Sequence, residues 1–316
     1  MFSTMNRRTL ARMLAATAAL PSLSRANQPI APPRSREQLA SQAPLLGVYV
    51  GNDPEDLVAF ESWLGRRVDG ISLHTGDADR FDWRGSIPWL AERWKDVDRG
   101  QFWSIPLIPE GATLEEAAAG DYDEDFSTAA TALSRRGLDD IIHVRTGWEF
   151  NGDWMTWSAI GKAELYNTAF RRFVDRFREQ ADRFVFEWCP NYGDQGMNPE
   201  LAYPGDDYVD VIGMDFYYDP RWDSADPNEA WVSMVERPYG LKWHQEFAAS
   251  RGKPTSYAEW GVTLPTAAPY IDAAARWFED HPVHYQCYWD SDDDFRGKLS
   301  AGRLPEVASM YQRAFR

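Results

Sequence analysis

Apolar residues recur along the chain in eight short runs separated by longer mixed segments. The runs are Leu45–Val50, Gly70–His74, Phe102–Ile108, Ile141–Arg145, Phe184–Trp188, Val209–Met214, Thr255–Ala258 and Val283–Trp289. Several are near-continuous Val, Ile, Leu and Phe rather than strictly alternating, as expected of strands covered on both faces. Helical patterns lie between them. Leu165, Ala169, Phe170, Phe173, Val174 and Phe177 share one helical face, and Ala273, Ala274, Trp277 and Phe278 share another. Eight strand–helix repeats over residues 45–316 predict an α/β chain folded as a single (β/α)8 TIM barrel. A doubly wound open sheet would require a glycine-rich phosphate loop after its first strand, and Gly47-Val48-Tyr49-Val50-Gly51 is not one. No internal repeat of fixed period is evident.

The first 26 residues follow a different pattern. They hold no acid, carry Arg7 and Arg8, and run through Leu10, Met13 and Leu14 into Ala15–Leu20 before the small-x-small site Ser24-Arg25-Ala26. This reads as an export signal. Arg7-Arg8 ahead of a weakly apolar, Ala-rich stretch resembles the twin-arginine type, with an ordinary secretory signal as the alternative. Either address puts the mature protein in the periplasm or the medium. Residues 27–44, rich in Pro, Ser and Gln, read as a linker. No later stretch reaches the ~18 apolar residues of a membrane span.

In a barrel of this kind the active face lies at the C-terminal ends of the strands, so the residues that follow each run matter most. Run two ends at His74, run four leads into Thr146–Trp154, run five into Cys189-Pro190-Asn191, run six into Asp215–Tyr218, run seven into Glu259-Trp260-Gly261, and run eight ends in Trp289-Asp290. Glu149 and Glu259 stand out, because strands four and seven face each other across a barrel mouth. Two such carboxyls are what glycoside hydrolysis needs. One stays protonated to give a proton to the leaving oxygen, and the other is ionised and attacks the anomeric carbon; a separation of ~5–5.5 Å gives retention. Burial among aromatic rings would raise the acid, and arginine or tyrosine donors would hold the nucleophile ionised. Arg145 and Tyr217 are placed to do the latter.

Composition sharpens the picture. The chain of 316 residues has a formal charge of −16, which loss of the four arginines in the first segment carries to −20. That surface repels phosphate, so nucleic acid and strongly anionic polymers are excluded as partners. The 15 Trp, 14 Tyr and 16 Phe exceed what packing needs and suggest a cleft for something flat and partly apolar. Trp148, Trp154, Trp157, Trp188, Trp260 and Trp289 are candidate sugar platforms, with Tyr49, His74 and Asn151 beside them. There is no HExxH, GxSxG or Walker loop.

These residues resemble glycoside hydrolase family 26, the retaining β-mannanase family of a large barrel clan. Arg145–Trp157 (RTGWEFNGDWMTW) resembles its acid/base block, Tyr203–Tyr217 (YPGDDYVDVIGMDFY) the block that supplies a tyrosine to the nucleophile, and Ala258–Gly261 the nucleophile block. Gly120–Asp123 resembles a shorter stretch ahead of the fourth helix. The resemblance implies Glu149 as acid/base, Glu259 as nucleophile, Tyr217 as its hydrogen-bond donor, Trp154 as a stacking platform, and Asn151 and Arg145 as supports. The family usually carries His directly before the acid/base Glu, where this chain has Trp148. Mannan is the family default substrate, and the family also contains enzymes acting on mixed-linkage β-glucan and β-1,3-xylan.

The expectation is therefore an exported, endo-acting retaining glycosidase on a neutral β-linked polysaccharide, monomeric and without cofactor or metal. Another β-glycan, such as an exopolysaccharide, or a non-catalytic glycan-binding barrel, are the alternatives. His281 and His284 lack a completing metal ligand. Asp290, Asp292 and Asp294 fail as a calcium loop, because Phe295 stands where Gly is required and Ala301 where Glu is required. Cys189 and Cys287 end strands that are not neighbours, so free buried thiols are expected.

Overall fold

The structure, a computed structural model, describes residues 39, 43–134, 141–293 and 295–316. The expected export signal and nearly all of the expected linker lie outside the described residues, as does Asp294. Leu39 belongs to the expected linker, yet it is buried against Val185 and Val211.

The strands are β1 (Leu45–Tyr49), β2 (Gly70–His74), β3 (Gly100–Ile105), β4 (Ile142–Thr146), β5 (Phe184–Trp188), β6 (Val211–Gly213), β7 (Phe216–Tyr218), β8 (Thr255–Val262) and β9 (Val283–Trp289). All neighbours pair in parallel. β1 pairs with both β2 and β9, and β6 and β7 both pair with β8, so the sheet closes into a barrel of eight staves. The sixth stave is split: β6 stops at Gly213 and β7 resumes at Phe216. Helices α1 (Pro54–Leu64), α2 (Arg80–Arg93), α3 (Leu114–Ala119), α4 (Asp123–Ser134), α5 (Ala163–Arg178), α6 (Pro227–Glu236), α7 (Leu241–Ser250), α8 (Ala268–Asp280) and α9 (Pro305–Phe315) surround it. The eight predicted runs are the eight staves. Their ends differ most at β3, which begins and stops earlier than expected, at the sixth stave, whose second part β7 lies past the expected run, and at β8, which runs four residues past the expected stop.

Each strand alternates between the barrel interior and the helical layer. Leu45, Phe102, Ala258, Tyr285 and Cys287 form the inner apolar cluster, where the Phe102 and Tyr285 rings stack at 3.8 Å. Gly70 makes room for them, since a Cβ there would collide with the Phe102 ring. The outward positions join a far larger core with the helices, including Phe170, Phe173, Phe177, Phe247 and Phe278. Interior positions turn polar toward the C-terminal ends, through Ser104 and Glu187 to Arg145. No helix among the described residues is long and apolar enough to cross a membrane.

Candidate active site

Glu149 lies just beyond β4 in a left-handed backbone conformation (φ 53°) behind Gly147 (φ 60°). That conformation is costly for a residue with a side chain, and the surroundings hold it. Its N–H donates to the Cys189 carbonyl at 2.8 Å, the Tyr166 hydroxyl donates to the Gly147 carbonyl at 2.8 Å, and the Trp157 indole donates to the Trp148 carbonyl at 2.6 Å. The turn aims the carboxyl inward, where Asn191 Nδ2 donates to one oxygen at 2.5 Å and Trp154 Nε1 to the other at 2.6 Å. Asn151 fixes Asn191, accepting from its N–H at 2.8 Å and donating to its carbonyl at 2.8 Å.

Glu259 reaches the cleft by a different device. Tyr257 and Trp260 of β8 align with Gln286 and Tyr288 of β9, so three steps along one strand match two along the other. This β-bulge lets Ala258 and Glu259 both face the interior. Arg145, which is 2% exposed, donates to Glu259 Oε1 through Nη2. The same guanidinium donates to Asp215 Oδ2 at 2.6 Å and to Ser104 Oγ at 3.0 Å. Tyr217 Oη donates to Glu259 Oε2 at 2.9 Å. His74 Nε2 lies 3.7 Å from Glu259 Oε1 and 3.2 Å from Ser72 Oγ.

These partners divide the two carboxyls. Burial, with the Glu259 charge added to it, raises Glu149 to about 7 against the opposing Trp154 and Asn191 donors. Burial would raise Glu259 as well, but Arg145 and the Tyr217 hydroxyl outweigh it and hold the carboxyl below its ordinary value. Burial lowers His74 to about 4, so it is neutral near pH 7 and the charge holding Glu259 ionised is that of Arg145. Asp215 is pushed up by burial against the pull of Arg145, with Glu259 adding to the rise. Below about pH 7 Glu149 is thus mostly protonated while Glu259 stays ionised, the pair that acid-assisted displacement requires.

The aromatic candidates separate into two groups. Trp154 is half-exposed beside Glu149. Trp148 lies under the Arg145 guanidinium at 4.9 Å and edge-on to His74. Trp289 stacks on Tyr49 at 3.9 Å, and both rings touch His74. Trp157, Trp188 and Trp260 are elsewhere, and the expectation that they line the cleft is corrected. Trp157 is buried behind Trp148. Trp188 shares a strand with inward-facing Glu187 and so points outward, donating to the Ala202 carbonyl at 2.8 Å. The bulge turns Trp260 outward against Phe278 and Phe315. Asn191 and Asp215 had not been singled out as site residues, although both follow strand ends. The free thiols of Cys189 and Cys287 are buried. Asp290 caps a short turn through the N–H groups of Leu299 and Ser300, and Asp292 pairs with Arg303.

The model of glycosyl hydrolase family 26 matches residues 125–284, which is half of the chain. The chain belongs to this family. It is 28% identical over 206 residues to a mannan endo-1,4-beta-mannosidase of Bifidobacterium adolescentis, covering 60% of this chain and 19% of that protein. It is 27% identical over 200 residues to endoglucanase H of Acetivibrio thermocellus, covering 57% and 21%. The chain thus spans about a fifth of the length of these two curated relatives. A beta-1,3-xylanase of a Vibrio species is 24% identical over 210 residues, covering 60% of this chain and 42% of that one. Among solved structures, the catalytic domain of a GH26 endo-beta-1,4-mannanase from Bacillus sp. JAMB-750 superposes with a TM-score of 0.63 at 15% identity, covering 89% of this chain and 87% of that chain. A modular endo-beta-1,4-mannanase from Cellulomonas fimi gives 0.63 at 16%, covering 89% and 75%. These structures share the barrel with this chain.

Proposed function

We propose that the chain is a retaining glycoside hydrolase that cuts a β-linked neutral polysaccharide, with Glu149 as acid/base and Glu259 as nucleophile. The observation that carries the proposal is the opposite bias of two buried carboxyls, one of which feels the charge of the other. In the first step Glu149 transfers its proton to the glycosidic oxygen as a Glu259 oxygen bonds to the anomeric carbon. The aglycone leaves and a glycosyl ester remains on Glu259. In the second step Glu149, now a carboxylate, takes a proton from water, and the water oxygen displaces Glu259. Arg145 and Tyr217 stabilise the Glu259 carboxylate before attack and again as it departs. Asn191 and Trp154 aim Glu149 at the leaving oxygen.

β-1,4-Mannan cut internally is the first substrate to test. The mannosidase, endoglucanase and xylanase names of the relatives make the related β-glycans the alternatives within the same mechanism, and Trp148 in place of the family's usual His is the residue on which the choice turns. Residues 1–26 act as an export signal and 45–316 as the catalytic domain, so the enzyme works in the periplasm or outside the cell. Proton NMR of the first product released tests the mechanism. A β-configured reducing end supports retention, and an α-configured one overturns it.

A further inference from the structure

We propose a second sugar-binding arm on the outer face of α2, continuous with the catalytic cleft at His74 and built to hold a further stretch of the polysaccharide chain. The proposal rests on the functional reading above and extends it. A groove of about 440 Å³ runs from His74 and Asn52 over Gly85 and Ser86, between Phe81 and Trp89. His74 belongs to both places, since its ring also lies beside Glu259.

Three observations mark the groove as built for a ligand. Phe81 is 86% exposed, more than any other large apolar side chain among the described residues, and Trp89 is 54% exposed. Both rings flank the same groove, separated along the helix by about 12 Å at 1.5 Å per residue, a span suited to a short oligosaccharide. Gly85 sits midway between them inside a helix, where glycine is a poor choice. A Cβ on Gly85 would meet nothing within 4 Å. No packing explains the glycine, and its effect is to leave the trough open.

The walls are also held in place before anything binds. Ser86 Oγ accepts from the Gly76 N–H at 2.9 Å, and Asp82 accepts from the Ala78 N–H at 3.2 Å, so the β2–α2 loop is tied to the helix. Arg93 lies over the Trp89 ring at 5.6 Å and donates to the Asn52 carbonyl at 2.9 Å and to Asp53 at 2.7 Å. Two buried polar atoms near His74, Asn52 Oδ1 and Trp289 Nε1, have no protein partner. Flat apolar faces bracketing a trough that also presents Asn52, Asp82 and Ser86 fit a pyranose chain, whose C–H faces pack on rings while its hydroxyls seek hydrogen bonds.

The test compares kcat/KM on polysaccharide with kcat/KM on a short aryl glycoside of the same sugar, across galactomannan, glucomannan, mixed-linkage glucan and β-1,3-xylan. Affinity electrophoresis of the Glu259→Ala protein in gels holding the same polymers runs in parallel. Phe81→Ala and Trp89→Ala are each expected to lower the polymer-to-glycoside ratio about three- to tenfold, and polymer retardation of the Glu259→Ala protein falls when they are combined with it. Gly85→Leu fills the trough and should lower the ratio while raising the melting temperature, which separates loss of binding from loss of fold. Val232→Ala, exposed in the middle of α6 and not among the groove's lining residues, is the control and should leave the ratio unchanged. Cleavage of a polymer with the ratio intact in all three groove variants overturns the arm alone. Neither cleavage nor retardation on any polymer overturns the functional reading and the arm with it.

Discussion

Glu149 and Glu259 are equally buried, each 8% exposed, yet their neighbours drive them to opposite protonation states. Glu149 has only neutral donors, Asn191 and Trp154, and feels the charge of Glu259. Glu259 has a buried guanidinium and a phenol. Burial therefore prevails at one carboxyl and is overcome at the other.

The first consequence is a pH profile. The proposed mechanism needs Glu149 protonated, and its carboxyl is raised to about 7. The alkaline limb of kcat/KM for the free enzyme should fall through that region, with activity kept below it and lost above. A limb that stays flat to pH 9 would contradict the assignment of Glu149 as acid.

Trp154→Phe sharpens this test. The indole N–H stabilises the ionised form of Glu149. Removing it raises the carboxyl further, so the alkaline limb moves to higher pH even as kcat/KM drops. A limb that moves to lower pH would show that Trp154 does not act through Glu149.

Tyr217→Phe acts on the other carboxyl. Losing the hydroxyl that donates to Glu259 should lower kcat about a hundredfold, the lower end of what a single preorganised donor contributes, and shift the acidic limb upward. An unchanged acidic limb would mean that the hydrogen bond does not set the state of Glu259.

Stability offers a readout independent of turnover. Glu149 is raised from 4.5 to about 7 in the folded protein. Below pH 4.5 both folded and unfolded chains hold the proton. As pH rises through the window up to 7 the unfolded chain ionises first and folded stability falls. Glu149→Gln carries no such dependence. Its melting temperature should exceed that of the wild type by a margin that grows across this window and then levels, equivalent to about 3 kcal/mol at most. A margin independent of pH would contradict the raised carboxyl.

The two groups of tryptophans should part in the same experiment. Trp188→Ala and Trp260→Ala empty buried sites and should cost about 3–5 kcal/mol of stability. Trp154→Ala should leave the melting temperature within a few degrees while activity collapses.

Much of this arrangement was legible in the sequence. Eight apolar runs located eight staves, and the polar residues at their ends located Glu149, Arg145, Tyr217 and Glu259. What escaped was the facing of side chains near strand ends. Trp188 and Trp260 stood close to the mouth in sequence, but alternation along β5 and the bulge in β8 turn them to the helices. A bulge depends on how β8 registers against β9, and the residues of β8 alone do not reveal it. Asn191 was missed for a related reason. Its role comes from Asn151, 40 residues earlier, which pins its backbone and leaves its amide free to reach Glu149.

The most direct test of the central claim is reducing-end release from a polysaccharide panel of galactomannan, glucomannan, mixed-linkage glucan, xylans and bacterial exopolysaccharide, with Glu259→Ala assayed beside the wild type. The account predicts release from at least one β-linked polymer, reduced about ten-thousandfold or more in the variant. Release that survives in Glu259→Ala, or none from any polymer by the wild type, would contradict it.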